Sequence, residues 1–383
     1  MTALSTSDRY RIGEHVVELR APRLADAASW RRTCLEHEKR LRPAFGSPGT
    51  DWDAEHSAAA WAADWWRAHR DPDVLLSRVL TVEDGAEDRV VGAQRFAGRD
   101  PRTGHTESST WIAGLPNSKT VAMWMSARNT LDLFVQNPDL PLLVTPQTTD
   151  NKPAMALAEA LGFTYLQTLQ RLREFDGVPA DHTVYYLRNT PDSRRRLESV
   201  LESIAAEPLP PRRAPLPTLD VVLGVARAGV RRMRARRAAS PSSAGRLPAT
   251  VRTDDGRTIT FLPTSDGRHA VSVGGSPIGG IQIHHDPGSS TIEVIDRLHA
   301  DAPVADANAA IEAACRASAD RQDARRLTIA LADRNAAVAE PLAALGFASE
   351  GATSPTFGDD GAQRESWTRL QQAQEGRRAH TGQ

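Results

Sequence analysis

The chain has 383 residues, a formal net charge of −1 at pH 7 and two cysteines. This length allows two ordinary domains, each able to bury its own core. The balanced charge gives no global field for nucleic acid or an anionic membrane, so such a partner would need a local basic patch.

Cys34 and Cys315 lie in separate helical patterns, which argues against a disulfide framework or a cysteine metal site. No apolar run reaches the ~20 residues of a spanning helix or forms a signal-peptide core, so we expect a cytoplasmic protein.

The first half of the chain alternates between strand and helix patterns. Its strands are expected at 15–22, 75–84, 89–98, 105–114, 140–147, 164–175 and 182–189. Its helices are expected at 23–43, 53–70, 117–137 and 150–163. The order combines an antiparallel meander with a βαβ-like crossover. It predicts an α/β (α+β) domain, a twisted mixed sheet with helices on both faces.

Residues 191–250 are rich in proline, serine and arginine, and this composition predicts a linker. It separates a first domain at 10–190 from a second at 251–371, which a flexible tail at 372–383 follows. Within the linker, 219–239 has the spacing of an amphipathic helix whose polar sides carry Arg227, Arg231, Arg232, Arg234, Arg236 and Arg237. Three interpretations stay open: an anionic surface at the inner membrane face, an acidic protein or RNA partner, or an apolar stripe packed with solvated arginines.

One unit occurs twice. Asn151 precedes Gly162 by eleven residues in "DNKPAMALAEALGF", as Asn335 precedes Gly346 in "DRNAAVAEPLAALGF". Local chemistry favours these asparagines as helix N-caps and these glycines as C-caps. The second half repeats the later part of the first pattern and lacks the two helices that follow the first strand. We therefore expect it to be an abridged copy.

Several motifs in the right order carry a family resemblance. "LRAPRLADAASWRR" (19–32), "TESSTWI" (106–112) and "DGVPADHTVYYL" (176–187) resemble segments of the GCN5-related N-acetyltransferase (GNAT) family, and most closely the RimJ/RimL-like branch that acetylates ribosomal-protein N-termini. The second half matches only the closing part of the family pattern and resembles a degenerate GNAT domain. The resemblance implies a tandem protein whose first domain transfers an acyl group, normally acetyl, from acyl-CoA to a primary amine without a metal. Because neither cysteine lies on a recognised nucleophile motif, we expect a direct transfer in a ternary complex.

The same resemblance indicates where acetyl-CoA would bind. The family holds the CoA pyrophosphate on a glycine-rich loop at the start of the third helix, where "LPNSKTVA" stands here. Ser118 and Thr120 keep backbone donors and Lys119 adds a positive charge, but the missing glycines cost close approach and φ > 0 freedom. The implied cofactor-binding residues are Trp111, Ile112, Asn117, Ser118, Lys119, Thr120, Val121, Ala122 and Asn151. In the second half, "HADAPVADA" has no glycine and carries acidic side chains, so we expect no CoA there.

Catalysis needs a base for the acceptor amine and an acid for the departing thiolate. Glu107 is the base candidate, and its alternative is a strand-surface carboxylate paired with an arginine. The tyrosine that the family often places seven residues after the asparagine is Ala158 here, so Ser118 or Tyr185 would have to act as the acid. Tryptophans in the two-helix region could line an acceptor pocket or pack as core. They are Trp52, Trp61, Trp65 and Trp66.

Two alternative functions remain open at this point. The degraded phosphate loops favour a GNAT-fold pseudoenzyme that acts as a scaffold or regulatory binding protein. The tandem architecture also resembles tRNA-dependent aminoacyltransferases, which need no CoA loop. An open V between the fourth and fifth strands, with the N–H groups of "SKTVA" pointing into it, would favour the acyl-CoA enzyme. Side chains that fill this V would favour the pseudoenzyme, and a continuous arginine-lined trough would favour the aminoacyltransferase.

Overall fold

The computed structural model describes eleven ranges of the chain. They are residues 8–46, 51–85, 87–100, 103–175, 177–210, 247–253, 255–265, 268–286, 291–319, 324–353 and 364–370. The chain divides into two compact units. The first comprises Met1–Tyr165, Glu174–Val178 and Thr183–Ala239, and the second comprises Leu166–Arg173, Pro179–His182 and Ser240–Gln383.

The first sheet has nine strands in the order β7-β8-β6-β5-β4-β3-β2-β1-β9. The strands are β1 (Asp8–Ile12), β2 (His15–Arg20), β3 (Val74–Asp84), β4 (Glu87–Ala97), β5 (Thr106–Ile112), β6 (Leu142–Thr148), β7 (Thr164–Phe175), β8 (Val178–Arg188) and β9 (Ala206–Pro208). Strands β1 to β5 form an antiparallel meander, and β5 and β6 are parallel. The predicted mixed sheet is therefore confirmed, with one short strand added at each end of the expected domain.

Helices cover both faces of this sheet, as expected. They are α1 (Ala27–Glu36), α2 (Glu38–Phe45), α3 (Trp52–Glu55), α4 (Ala58–Arg70), α5 (Lys119–Gln136), α6 (Lys152–Ala160) and α7 (Pro191–Ser203). On one face, Trp61 of α4 packs with Val79 and Val90. On the other face, Trp124 and Met125 of α5 pack against the meander. The two-residue period of each strand therefore sends alternate side chains to two different cores.

A β-bulge shapes the first face. The register of β3 and β4 shifts between Leu80 and Thr81. The N–H of Val90 donates to the Ser29 hydroxyl at 2.7 Å, and its carbonyl accepts from the Thr33 hydroxyl at 2.6 Å. Since buried backbone groups need partners, these two α1 side chains satisfy groups that the irregular ladder leaves open.

The segment 191–208 corrects the expected start of the linker. Leu197 of α7 is fully buried in the core between α5 and α6, and β9 pairs with β1. A buried leucine and a strand ladder hold this segment in the first unit, although its charged composition looked like a linker. Residues 211–246 of the expected linker, with the arginine-rich helix, lie outside the described residues, as does the tail.

The second sheet has eight strands in the order β10-β11-β12-β13-β14-β15-β17-β16. The strands are β10 (Thr250–Arg252), β11 (Thr258–Pro263), β12 (Arg268–Val273), β13 (Ser276–Asp286), β14 (Thr291–Leu298), β15 (Arg326–Leu331), β16 (Ala348–Ala352) and β17 (Glu365–Leu370). Its helices are α8 (Val304–Ala319) and α9 (Ala339–Ala344), with a 3-10 helix at Asp333–Val338 before α9.

The two sheets share one plan. Each is a meander, then a helix, a single parallel pair, a short helix and two closing strands, and the eight strands β1 to β8 have the same order as the eight strands of the second sheet. In the described ranges of the second unit no helix comes between the early strands. The shared strand order is compatible with the expected abridged copy of a GNAT-like domain, which stays a prediction.

The repeated helix ends in the same way in both copies. Phe163 N–H donates to Ala158 O at 3.0 Å, and Phe347 N–H donates to Leu342 O at 3.0 Å. The glycine before each phenylalanine has a positive φ, +88° for Gly162 and +83° for Gly346. This is the Schellman arrangement, so the predicted glycine C-caps are confirmed.

The two asparagines differ. Asn151 caps α6, because its Oδ1 accepts from Ala154 N–H at 3.3 Å. The N-cap interpretation of Asn335 is wrong: Asn335 lies inside the 3-10 helix, fully buried, and its amide donates to Asp296 Oδ2 at 3.3 Å. The 3-10 turn moves the start of α9 three residues along the chain, to a Val338 cap that makes no side-chain hydrogen bond.

Among the described residues, no helix is both long enough and apolar enough to cross a membrane.

Candidate active site in the first unit

The parallel strands β5 and β6 pair only at one end. Thr106 and Glu107 pair with Leu143 and Val144, and the ladder stops there. Each strand has seven residues. Since the remaining residues of β5 have no ladder partner on this side, the strands separate and leave a gap in the middle of the sheet. A gap of this kind exposes backbone groups in a place that a ligand can reach.

The N-terminus of α5 follows directly after β5. Its N-cap, Ser118, makes no side-chain cap hydrogen bond, and the first turn contains no acidic residue. The N–H groups of Lys119, Thr120 and Val121 therefore lack a capping side chain. Uncapped N–H groups at the positive end of an 18-residue helix favour an anion.

The backbone before α5 enters the left-handed region at Asn117, which has a φ of +49°. Asparagine enters this region more readily than other non-glycine residues. Gly114 supplies a second positive φ of +70° in the same loop. Ser118, at one of the two positions where a glycine was expected, has a negative φ of −71°. The left-handed turn of this loop therefore lies one residue before that position.

The other predicted cofactor residues lie around this loop in different environments. Lys119 and Thr120 are exposed, whereas Val121 is buried in the α5 core and offers only its backbone. Ala122 is half-buried in the first turn. Ile112 packs with the α5 core, and Asn151 is exposed at the start of α6.

Glu107 occupies the last paired position before the gap. By the strand period it shares a face with Ser109 and Trp111, and that face looks away from α5. Its side chain is half-buried. Glu107 therefore lies where β5 leaves the ladder, at the position that a base acting in the gap would need.

Tyr185 is held on a different element. It lies on β8, buried, and its hydroxyl donates to Glu159 Oε1 of α6 at 3.0 Å. Burial, with the hydrogen bond and charge of Glu159, raises the pKa of Tyr185 above its usual value. A raised pKa makes this phenol a weaker acid. The contacts of Tyr185 therefore favour a packing role over protonation of a thiolate.

A chain of buried polar groups reaches β5 on its α5 face. Arg78 Nη1 donates to Asp132 Oδ2 at 2.5 Å and lies 3.3 Å from Asn129 Oδ1. The amide of Asn129 donates to Gln94 Oε1 at 2.9 Å, and Gln94 donates to the Ser108 hydroxyl at 3.1 Å. These hydrogen bonds connect α5 to the first unpaired residue of β5 and hold the edge of the gap in place.

A cavity of about 320 Å³ opens on the opposite face of β5. Ser109 and Trp111 of β5 line it, together with residues from α1, α3 and α4. Its size lies at the lower end of the range for small-molecule sites, ~300–1,000 Å³. Two of the four tryptophans that were candidates for the acceptor pocket, Trp52 and Trp61, line the cavity and are also buried in the core. Trp65 and Trp66 do not line it.

His56 and Trp30 line the same cavity and were missed by sequence reasoning. His56 closes a four-residue helix that has no periodic signal of its own. Trp30 lies in α1, where its spacing indicated only an apolar face. Neither position could be assigned to a cavity before α1, α3 and β5 were placed together.

The corresponding region of the second unit is more closed. Strands β14 and β15 pair at four positions, from Thr291 with Arg326 to Val294 with Ile329. Beyond the ladder, Asp296 of β14 binds the buried Asn335. Asp306 occupies the first turn of α8. An acidic first turn disfavours a phosphate there.

Comparisons with known proteins found a matching family model and similar solved structures. Residues 19–184 match the family model described as an acetyltransferase (GNAT) domain. A solved structure of Mycobacterium smegmatis RimJ in complex with CoA-disulfide is 22% identical with a TM-score of 0.45, and the match covers 54% of this chain and 97% of that one. The ribosomal-protein-S5-alanine acetyltransferase of Vibrio fischeri is 15% identical with a TM-score of 0.41, over 49% of this chain and 98% of its own.

The microcin C7 self-immunity acetyltransferase MccE, solved with acetyl-CoA and AMP, is 15% identical with a TM-score of 0.40, over 49% and 99% of the two chains. A search of curated proteins found no match. The match of the family model runs from the end of β2 into β8 and includes the strands that flank the gap, so residues 19–184 carry an acetyltransferase (GNAT) domain.

Proposed function

We propose that the first unit is an acyl-CoA-dependent N-acyltransferase that transfers an acyl group, normally acetyl, directly to a primary amine. The observation that carries this proposal is the uncapped N-terminus of α5 beside the gap between β5 and β6. The pyrophosphate of acetyl-CoA would accept hydrogen bonds from the N–H groups of Lys119, Thr120 and Val121. The exposed Lys119 side chain would add a charge-assisted contact.

In this proposal Glu107 is the general base. It accepts a proton from the acceptor ammonium, directly or through a water, so that the amine lone pair can attack the thioester carbonyl. The C–N bond forms and the C–S bond breaks, and the thiolate takes up the proton that the attacking nitrogen loses and leaves as CoA. The position of Glu107 at the end of the β5–β6 ladder supports this role.

Direct transfer is supported by the two cysteines. Burial raises the pKa of Cys34 to about 12, and burial also raises the pKa of Cys315. A thiol with so high a pKa is protonated at neutral pH and is a poor nucleophile. An acyl-cysteine intermediate is therefore disfavoured, and the acyl group passes from CoA to the amine in one complex.

The second unit has a structural role in this proposal. Its parallel strands pair over four positions, Asn335 binds Asp296 beyond them, and Asp306 stands in the first helical turn. These contacts favour a domain that does not bind CoA. Titration should therefore give one acetyl-CoA site per chain.

The test is calorimetric titration of the full chain with acetyl-CoA, beside the variants Ser118→Glu and Ser203→Glu. We expect saturable binding near one site per chain that Ser118→Glu abolishes, because its carboxylate would occupy the α5 N-terminus. Ser203→Glu adds the same charge at the end of α7, where Ser203 is exposed, and should leave binding unchanged. No binding at millimolar acetyl-CoA, a free energy weaker than about −4 kcal/mol, would contradict the proposal.

A further inference from the structure

The cavity beside β5 has an unusual wall. Four tryptophans and one histidine line it: Trp30, Trp52, Trp61, Trp111 and His56. The chain contains eight tryptophans, so half of them meet in this one place. Indole rings provide large, rigid and polarisable surfaces that prefer to pack against other aromatic rings.

The walls are fixed before any ligand binds. The Trp52 indole N–H donates to Cys34 O at 3.1 Å, and the Trp61 indole N–H donates to Arg23 O at 2.9 Å. The Trp30 ring centroid lies 5.1 Å from that of Trp61. Since these indole N–H groups already have backbone partners, the rings offer their apolar surfaces to the cavity.

His56 is the polar member of the wall. Its ring lies between Trp52 and Trp30, with centroid distances of 3.9 Å and 4.8 Å. Its Nδ1 lies 2.8 Å from Trp52 O, and a carbonyl can only accept, so Nδ1 carries the hydrogen. In the neutral ring Nε2 is then an acceptor, and the hydrogen bond of this ring within the described ranges uses Nδ1.

The rim of the cavity adds a charged pair. Asp64 of α4 accepts from Arg95 Nη2 of β4 at 2.5 Å, and both residues line the cavity. Asp64 also accepts from Arg67 Nη2 at 3.0 Å, so two guanidinium groups compensate its charge and the rim does not favour a cation. The aromatic wall and the His56 acceptor therefore dominate recognition.

We infer that this cavity binds an indolylalkyl amine, with the indole ring among the tryptophans and the ring N–H donating to Nε2 of His56. The inference rests on the proposed function, since it names the chemical class of the acceptor. Ser109 and Trp111 lie on β5, the strand that borders the gap, so a ring in the cavity leaves the primary amine of its side arm close to the strand from which Glu107 acts. A cyclohexylalkyl amine loses both the aromatic contacts and the ring N–H, and it binds more weakly.

The test compares tryptamine with 2-cyclohexylethylamine by calorimetric titration of the full chain. Both are primary amines on a two-carbon arm, and only one ring is aromatic. We expect tryptamine to bind at one site per chain and about tenfold more tightly than the cyclohexyl compound. Equal affinities, or no binding of tryptamine, would overturn the inference.

Three variants locate the site. Ser109→Phe fills the cavity from an exposed strand position and should abolish tryptamine binding. His56→Asn keeps a donor for Trp52 O and loses the Nε2 acceptor, so it should weaken tryptamine about fivefold. Tyr165→Leu removes an exposed aromatic ring outside the cavity lining and is the matched control. Unchanged tryptamine affinity in Ser109→Phe would place the ligand elsewhere and overturn the assignment.

Acetyl-CoA titrations of the same proteins separate this inference from the proposed function. If the protein does not bind acetyl-CoA but binds tryptamine, and Ser109→Phe abolishes tryptamine binding, the acyltransferase proposal is contradicted and the aromatic site is supported. Acetyl-CoA binding without tryptamine binding would support the acyltransferase and overturn the aromatic site. Acetyl-CoA affinity should be the same in the three variants, since none of them lies at the α5 N-terminus.

Discussion

The side-chain amide of Asn129 donates to Gln94 Oε1 at 2.9 Å in the interior between α5 and β4. Both residues are buried, and the side-chain amide of Gln94 donates a hydrogen bond to the Ser108 hydroxyl of β5. The helix that presents the proposed phosphate site and the strand that borders the gap are therefore held by one polar chain.

Replacing Asn129 by leucine should destabilise the first unit by about 1–3 kcal/mol for each buried group left without a partner. The double variant Asn129→Leu, Gln94→Leu should lose less than the sum of the two single changes, because it removes both ends of one hydrogen bond. Urea unfolding followed by circular dichroism measures this. Strict additivity would show that the two side chains are energetically independent.

Asn117 should tolerate glycine and resist β-branched residues. Its φ of +49° suits glycine, whereas valine in the left-handed region costs about 1–2 kcal/mol. We expect Asn117→Gly to keep acetyl-CoA affinity and Asn117→Val to weaken it by displacing the α5 N-terminus. Calorimetry decides, and equal affinities for the two variants would mean that this backbone conformation does not shape the site.

Neither cysteine should be needed for transfer. The variants Cys34→Ala and Cys315→Ala should keep acyl transfer once folded, since the pKa of each thiol is raised by burial. Native protein should also resist a thiol reagent at neutral pH, and unfolded protein should react twice per chain. Loss of transfer in a folded Cys34→Ala protein would instead point to an acyl-cysteine intermediate.

The second unit should depend on a buried ion pair. Arg326 Nη2 lies 2.7 Å from Glu350 Oε2, and both side chains are 2% exposed. Glu350→Ala leaves a buried arginine without its carboxylate and should cost about 3–5 kcal/mol. The exposed pair of Arg316 and Glu312 on α8 is the control, and Glu312→Ala should cost under about 0.5 kcal/mol. Denaturant titration of both variants checks the contrast, which similar losses would contradict.

The free energy of unfolding of the second unit should decrease as the pH falls below 6.5. Burial lowers the pKa of His269 below its ordinary value of 6.5, so this histidine is neutral in the fold. Between the folded pKa and 6.5 the unfolded chain binds more protons, and unfolding is favoured as pH falls through that window. In a folded His269→Phe variant, thermal unfolding should lose part of this decline. An unchanged pH profile would assign the decline to other groups.

Local patterns were sufficient for much of the fold. The apolar periods predicted the meander, the long helix after β5 and the repeated short helix, because these elements bury one face at a fixed spacing. The "LGF" endings predicted both Schellman turns, because glycine alone adopts that conformation without strain. The composition of 191–208 wrongly predicted a linker. Helix α7 is charged over most of its surface, and the burial of this helix depends on a single leucine, Leu197.

The amino-acid sequence by itself therefore determined the order of the elements, the two copies and the family of the first. Tertiary structure decided how those elements are used. The gap beside β5 depends on where the β5–β6 ladder stops. The position of Asn335 depends on a 3-10 turn. The aromatic cavity depends on residues from α1, α3, α4 and β5 that are distant in the chain. Local preference fixes backbone and spacing, whereas a site forms from side chains that only packing brings together.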